Sequence, residues 1–245
     1  MTADADPVGG PLRAVGDGLA AAGGGWTFGS ATAAVFDEHA RRSIPLYDAC
    51  HDLVVSLADE LVRREGTVYD VGCSTGTLTV RIAERLADRR ARVIGIDLEP
   101  EMVERARARA GGRAQFQVGC VETAELEPAA LIVALYTLQF VPLPSRRAVA
   151  GRLRAALEPG GSLIMFEKVV AETSRAQTLY TELYRDWKAT QGFEQDEITA
   201  KAHSLRGVLV PQTATANRKM LLDAGFADVQ PVFRWLGWEG VIARV

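Results

Sequence analysis

Between residues 67 and 168 short β-prone runs alternate with stretches of helical periodicity, and this rhythm constrains the fold more than any other feature. The runs are Thr67–Gly72, Arg92–Leu98, Gln115–Cys120, Leu131–Tyr136 and Ser162–Lys168. Helical patterns fill about 76–88, 100–110 and 144–157, with Pro100 at the first position of the second and Pro159-Gly160-Gly161 closing the third. Strands that alternate with helices make a parallel sheet covered on both faces. Leu131–Tyr136 is wholly apolar, which suits a central strand. Near the end, only Leu236-Gly237 separates Val229–Trp235 from Trp238–Arg244, so those two runs pair as an antiparallel hairpin.

Glu172–Gln191 and Gln195–Ser204 are amphipathic segments that no strand requires, so about 172–205 is expected to be a helical cap inserted into the domain. Upstream, Val35–Arg63 has helical spacing interrupted at Pro45, giving two helical pieces. The expected division is a disordered, Gly- and Ala-rich tail over 1–25, N-terminal helices over 26–66 that cover the site, and the α/β domain over 67–245.

Composition removes several function classes. With 245 residues, 48% of them apolar, the chain can bury a core without staples. Its longest apolar run, Ala129–Tyr136, has eight residues, well short of the ~18 of a membrane span. Cys50, Cys73 and Cys120 are too few and too scattered for a disulfide framework or a cysteine zinc site, and no metal is expected. A net charge of −3 argues against a nucleic-acid partner. A cytoplasmic protein with a small-molecule partner is the expectation. Four lysines (Lys168, Lys188, Lys201, Lys219) against 24 arginines read as coding bias without functional content.

The richest segment is Val68-Tyr69-Asp70-Val71-Gly72-Cys73-Ser74-Thr75-Gly76-Thr77, a strand running into a glycine turn that opens a helix. Gly72-Cys73-Ser74-Thr75-Gly76 satisfies the nucleophile-elbow pattern. However, it follows the first strand, no histidine-glycine oxyanion motif precedes it, and the only later histidine is His203. A dinucleotide turn needs glycine where Ser74 and Thr77 stand. An S-adenosylmethionine (SAM) turn, acid-x-Gly-x-(Gly/Ser)-x-Gly, is met by Asp70, Gly72, Ser74 and Gly76, and the next strand ends in Asp97. A carboxylate there accepts both ribose hydroxyls. A tight turn and a helix cap are the plain alternative for either residue alone. Their order along the chain favours SAM.

The chain resembles class I SAM-dependent methyltransferases and, within them, carboxy-S-adenosylmethionine synthases. The likeness runs from Trp26-Thr27-Phe28 to the C-terminus. Its narrow signals are Arg42-Ser43-Ile44-Pro45-Leu46-Tyr47 and Thr137-Leu138-Gln139-Phe140, and its general ones are Pro159-Gly160-Gly161 and Ala224-Gly225-Phe226. The resemblance implies a Rossmann-like, seven-stranded, mostly parallel sheet with the C-terminal antiparallel hairpin and the cap. It implies SAM as cofactor, held by Arg42, Tyr47, Gly72, Cys73, Ser74, Asp97, Leu98, Cys120, Val121 and Leu135. Three positions depart from the family pattern: Cys120 replaces an Asp, Leu135 an Asn, and Ala202 the Arg assigned to the extra carboxylate of the carboxylated cofactor. Alanine cannot pair with a carboxylate, so making or using that cofactor is disfavoured; Arg206, one helical turn on, is a candidate substitute.

The expected reaction is methyl transfer to a metabolite or natural-product acceptor. The alternative, which the resemblance to azetidine-2-carboxylate synthases permits, is cyclisation of SAM with release of methylthioadenosine. Tyr180 and Tyr184, four residues apart, and His203 and Arg206 are the catalytic candidates, and the chain is expected to form a homodimer.

Overall fold

The computed structural model describes residues 11–63 and 65–245. It opens with a hairpin, β1 (Arg13–Gly16) and β2 (Leu19–Ala21), followed by helices α1 (Ser30–Ser43) and α2 (Tyr47–Leu61). The alternating part follows as β3 (Thr67–Val71), α3 (Thr77–Arg85), β4 (Arg92–Asp97), α4 (Pro100–Ala110), β5 (Gln115–Val118), β6 (Ala129–Leu135), α5 (Arg146–Ala156) and β7 (Leu157–Val170). The cap is α6 (Ser174–Thr190) and α7 (Gln195–Ser204). A two-residue β8 (Gln212–Thr213), α8 (Ala214–Asp223), β9 (Asp228–Trp235) and β10 (Trp238–Arg244) complete the chain.

The main sheet has the order β5-β4-β3-β6-β7-β10-β9, with β8 pairing beside the end of β7. Strands β5 to β7 are mutually parallel, and β10 is antiparallel to both neighbours. The expected seven-stranded α/β sheet is therefore present, with β8 as a small eighth member. Strand β6 explains its own apolarity. Leu131 and Val133 enter the core shared with α2 and α3, while Ile132 and Ala134 enter the core shared with α5 and α8. Both faces are sealed, so no position on the strand can be polar without a partner.

Two expectations need correction. Residues 11–25 are not a disordered tail; Val15, Leu19, Ala21 and Trp26 pack with Ala200 of α7 in a buried cluster. The apolar face of this hairpin is three residues long and is completed by a helix almost 180 positions away, so local periodicity could not reveal it. The first ten residues lie outside the described part. Strand β7 starts at Leu157 rather than after Pro159-Gly160-Gly161. Its pairing with β6 jumps from Leu157 to Ser162, so the three residues form a bend within the strand.

Candidate active site

The site is built at the carboxyl ends of the parallel strands. After β3 the backbone turns through Gly72 and Ser74 in left-handed conformations, φ 76° and 49°, and Gly76 at φ 76° starts α3. A side chain at Gly72 would run into Thr137, whose hydroxyl donates to the carbonyls of Val71 (2.8 Å) and Leu135 (3.1 Å). Glycine there is a packing requirement. The amides of Gly72 and Cys73 donate to the carbonyl of Ile96 (2.7 and 3.1 Å), and that of Ser74 donates to Asp97 Oδ2 (2.8 Å). Asp97 Oδ1 accepts from the amide of Glu99 (3.0 Å). Each oxygen keeps a lone pair for a ligand. Burial pushes the Asp97 carboxyl up, against these backbone amides. Beneath the turn, buried Asp70 accepts from Thr79 (2.6 Å), and burial, with Asp97 adding, pushes it up to about 7.

Helix α1 is held over the turn by Asp37, which accepts from the hydroxyl of Thr75 (2.5 Å) and from Arg109 (2.5 Å). Burial would raise its carboxyl, but these donors hold it below the usual range.

The cavity beneath has a volume of about 330 Å³. On the β4–β5 side it is lined by Asp97, Leu98, Cys120 and Val121, and in the middle by Gly72, Cys73, Ser74, Leu135 and Tyr47. On the β7–β10 side its walls are Tyr184, Trp238, Lys168, Lys188 and Lys201. The Tyr184 hydroxyl donates to the carbonyl of Ser43 (2.8 Å), tying the cap to the end of α1. Lys168 faces the rings of Tyr184 and Trp238 at 4.9 and 5.3 Å. Lys188 donates to the Ser43 hydroxyl (3.1 Å) and lies 3.6 Å from the Phe193 ring centroid, and Lys201 sits over Trp26. Burial lowers Lys168 to about 8, and it lowers Lys188 to about 8 with help from Lys168. Burial and then Lys188 bring Lys201 down to about 5. Among the described residues Lys219 pairs with Asp223 (2.9 Å), while the three cavity lysines have no carboxylate at ion-pair distance.

The four lysines are therefore not scattered along the surface. In a chain that otherwise uses arginine, three of four lysines converge on one cavity. A compact ammonium fits an enclosed wall where a planar guanidinium would fill the space. That scarcity was the signal through which Lys188 and Lys201 were identifiable. His51 of α2, absent from the sequence-based candidates, also lines the cavity, as does Tyr136 directly after β6.

Four predicted site residues lie elsewhere. Arg42 pairs with Asp17, donates to the carbonyl of Gln191 (2.9 Å) and stacks on Phe193 at 4.4 Å, so it fastens α1 to the α6–α7 turn. Tyr180 is half-buried on α6 outside the lining. It shares a helix face with Tyr184, but only the latter's turn reaches the cavity. His203 and Arg206 are exposed, as is Ala202. Helix α7 buries Ile198, Ala200, Lys201 and Ser204, which leaves 202, 203 and 206 on the outer side. Glu167 serves structure: both its oxygens accept backbone amides, from Leu138 and Gln139 at 2.8 Å each, and burial pushes it up to about 8.

An acid-ended second strand beside a bare-backbone turn, under a helical lid and cap, defines a SAM-dependent enzyme of the class I methyltransferase superfamily. Residues 68–161 match the methyltransferase domain family. The carboxy-S-adenosyl-L-methionine synthase of Wolinella succinogenes is 40% identical over 221 residues, 89% of this chain and 92% of that protein. That of Chromohalobacter salexigens is 37% identical over 223 residues, covering 89% and 83%. The chain belongs to the carboxy-S-adenosyl-L-methionine synthase family. Among solved structures, magnesium protoporphyrin IX methyltransferase from Synechocystis with bound SAH has the same fold, with a TM-score of 0.63 at 17% identity, covering 89% of this chain and 95% of that one. Human N-acetylserotonin methyltransferase in complex with SAM has a TM-score of 0.53 at 18% identity, covering 89% and 60%.

The cofactor is SAM, and the residues present suit it. Asp97 has lone pairs available for ribose hydroxyls, the turn offers backbone without side chains, and Tyr47 and Tyr184 present aromatic rings compatible with a sulfonium. Bound SAM supplies an electrophilic carbon. The chain's task is to bind, orient and exclude water. Among the described residues no helix is long and apolar enough to cross a membrane, and no cluster of metal-ligating side chains occurs.

Proposed function

We propose that the protein transfers the methyl group of SAM to a small metabolite or natural-product acceptor that carries an anionic group. The observation behind this reading is that the cavity continues past the cofactor turn to a β7–β10 end walled by aromatic rings and three unpaired lysines. Burial leaves Lys201 largely neutral, but Lys168 and Lys188 keep most of their charge at neutral pH, and an acceptor anion would neutralise it. In this reading Asp97 and Leu98 hold the ribose, Cys120 and Val121 flank the adenine, and Gly72, Cys73, Ser74, Leu135 and Tyr47 cradle the methionine portion. Tyr184 orients the acceptor. Tyr180, His203 and Arg206 stand outside the cavity and take no part in the reaction. Carboxy-SAM synthesis, named for the relatives, would have to proceed without the arginine that the resemblance assigns, since that position is Ala202, which is exposed and outside this protomer's own lining. The protein acts in the cytoplasm as a homodimer. Leu179 and Leu183, one turn apart on the outer side of α6 and 52% and 42% exposed, support self-association.

Cyclisation of SAM is the second reading. It is favoured by the aromatic walls, Tyr47, Tyr136, Tyr184 and Trp238, which stabilise a sulfonium without any acceptor. Incubation with SAM alone, followed by mass spectrometry, separates the readings. Methylthioadenosine above the spontaneous rate, with azetidine-2-carboxylate in equal amount, establishes the cyclase. Intact SAM that becomes S-adenosylhomocysteine only when carboxylate-bearing acceptors are added establishes the transferase. A carboxylated cofactor overturns both.

A further inference from the structure

His39 and Asp17 form a buried pair between α1 and the N-terminal hairpin, each side chain 6% exposed. The His39 Nδ1 lies 2.6 Å from Asp17 Oδ2, and Arg42 donates to the other oxygen. A carboxylate only accepts, so Nδ1 carries the hydrogen and Nε2 is the bare nitrogen. The two edges of the ring have different surroundings. Phe36, His39, Ala40 and Ser43 share one face of α1 and line the cavity, whereas Asp17 does not. Nδ1 is therefore turned to the hairpin and Nε2 toward Ser43 Oγ, at 3.5 Å. That is the outer limit of a hydrogen bond, and the same hydroxyl already accepts from Lys188 (3.1 Å). Trp26, stacked at 5.4 Å, and Phe193, edge-on at 6.1 Å, hold the ring in this orientation. An imidazole oriented by a carboxylate, with a weakly engaged nitrogen beside cations that await an anion, has the geometry of a general base.

We infer that His39 is a catalytic base, taking through Nε2 the proton of an acceptor hydroxyl or amine whose anionic group pairs with the cavity lysines. This rests on the transfer reading and narrows its acceptor to one whose reacting atom must lose a proton. As the acceptor's oxygen or nitrogen bonds to the methyl carbon, the carbon–sulfur bond breaks and its electron pair stays on sulfur. The acceptor's proton passes to Nε2, Asp17 balances the imidazolium, and the proton leaves to water after the product departs. Burial, then Lys201, holds the His39 pKa well below its usual value, so Nε2 is unprotonated at neutral pH. Asp17 pulls the other way, and its pull gains weight once an anion offsets Lys201 and Lys188.

Bromoacetate, a small carboxylate with an electrophilic carbon, tests this on the full chain without cofactor. Peptide mass mapping separates His39 from Cys73 and Cys120, which line the same cavity. It should find His39 carboxymethylated at Nε2, about tenfold faster than uncharged bromoacetamide modifies it. Asp17→Asn should slow that reaction about tenfold, and nitrogen NMR of the wild type should show the hydrogen on Nδ1. An unmodified His39, or a ring with its hydrogen on Nε2, would overturn the inference. Equal rates with the two reagents would instead overturn the anionic-acceptor reading while supporting a bare nitrogen in the cavity. With SAM, His39→Gln should cut methylation of para-hydroxybenzoate about 100-fold or more. Methylation of para-mercaptobenzoate, whose thiol ionises unaided, should fall by no more than about threefold. Equal losses for both acids would mean a packing role and overturn the inference. If His39→Gln fails to fold, or the wild type methylates neither acid, alkylation and NMR of the wild type still decide.

Discussion

Asp97→Ala removes a carboxylate that the structure uses twice, and the two uses can be measured separately. In the free protein its oxygens accept the amides of Ser74 (2.8 Å) and Glu99 (3.0 Å), holding the left-handed turn and the entry to α4. Both residues are half-buried, so water can replace part of what is lost. A net cost of about 1–2 kcal/mol is expected, a fall in Tm of about 2–8 °C for a domain of this size. In the complex the same oxygens offer lone pairs to two ribose hydroxyls. Hydrogen bonds to a charged group contribute about 1.5–3 kcal/mol each. Allowing for the burial that makes this carboxylate costly to ionise, a combined loss of about 2–4 kcal/mol is reasonable, or about 30- to 1000-fold in Kd.

Titration calorimetry with SAM, S-adenosylhomocysteine and methylthioadenosine, alongside thermal unfolding of the free protein, reads both effects. All three ligands carry the ribose, so all three should weaken by the same factor. Asp97→Asn keeps one acceptor oxygen and should fall between alanine and wild type. If Asp97→Ala lowers Tm while every ligand binds within about twofold of wild type, the carboxylate only braces the turn, and the ribose assignment fails.

Tyr184→Phe should reduce kcat while leaving SAM affinity within about threefold, because it breaks the bond to Ser43 that ties the cap to α1, whereas Tyr180→Phe should leave turnover unchanged. Equal turnover in both variants would return Tyr184 to packing. Lys168 and Lys188 lose charge as pH rises through about 8, so KM for an anionic acceptor should be flat below that pH and climb above it. An uncharged acceptor of similar shape should show no such climb, and a climb for both would exclude the lysines as the cause.

How much of this was legible in the sequence depended on the range of the interaction. The turn at Gly72 and the acid at Asp97 are fixed by local rules: a strand must end, a positive φ needs glycine or a tolerant residue, and a carboxylate must follow the next strand. Helix α7 runs over Gln195–Ser204 as its periodicity predicts, aided by reciprocal Glu194 and Glu197 capping. The direction in which that helix faces was not legible. Periodicity places Lys201 and His203 on different faces, but only docking against the N-terminal hairpin decides that Lys201 is inside and His203 outside. Arg42 was misread for the same reason. Its motif is genuine, but its guanidinium is claimed by Asp17 of a hairpin that leaves no local trace.

That docking also changes what Ala202 means. Taken from the sequence alone, the missing arginine reads as a hole in the cofactor pocket. In the fold, residue 202 is on the outer side of α7, so its substitution alters the surface and leaves the cavity charge intact. The positive charge inside comes from Lys168 and Lys188, with Lys201 largely neutral beside them. An arginine at 202 could therefore reach a ligand only across an interface with another chain, not within its own cavity. It follows that Ala202→Arg should leave SAM affinity of an isolated protomer unchanged, and should affect a carboxylated ligand only under conditions where two chains associate. Light scattering alongside calorimetry at several protein concentrations tests this. A gain in affinity for a carboxylated cofactor that is equal at all concentrations would show that residue 202 reaches its own cavity, and the assignment of the outer face of α7 would be wrong.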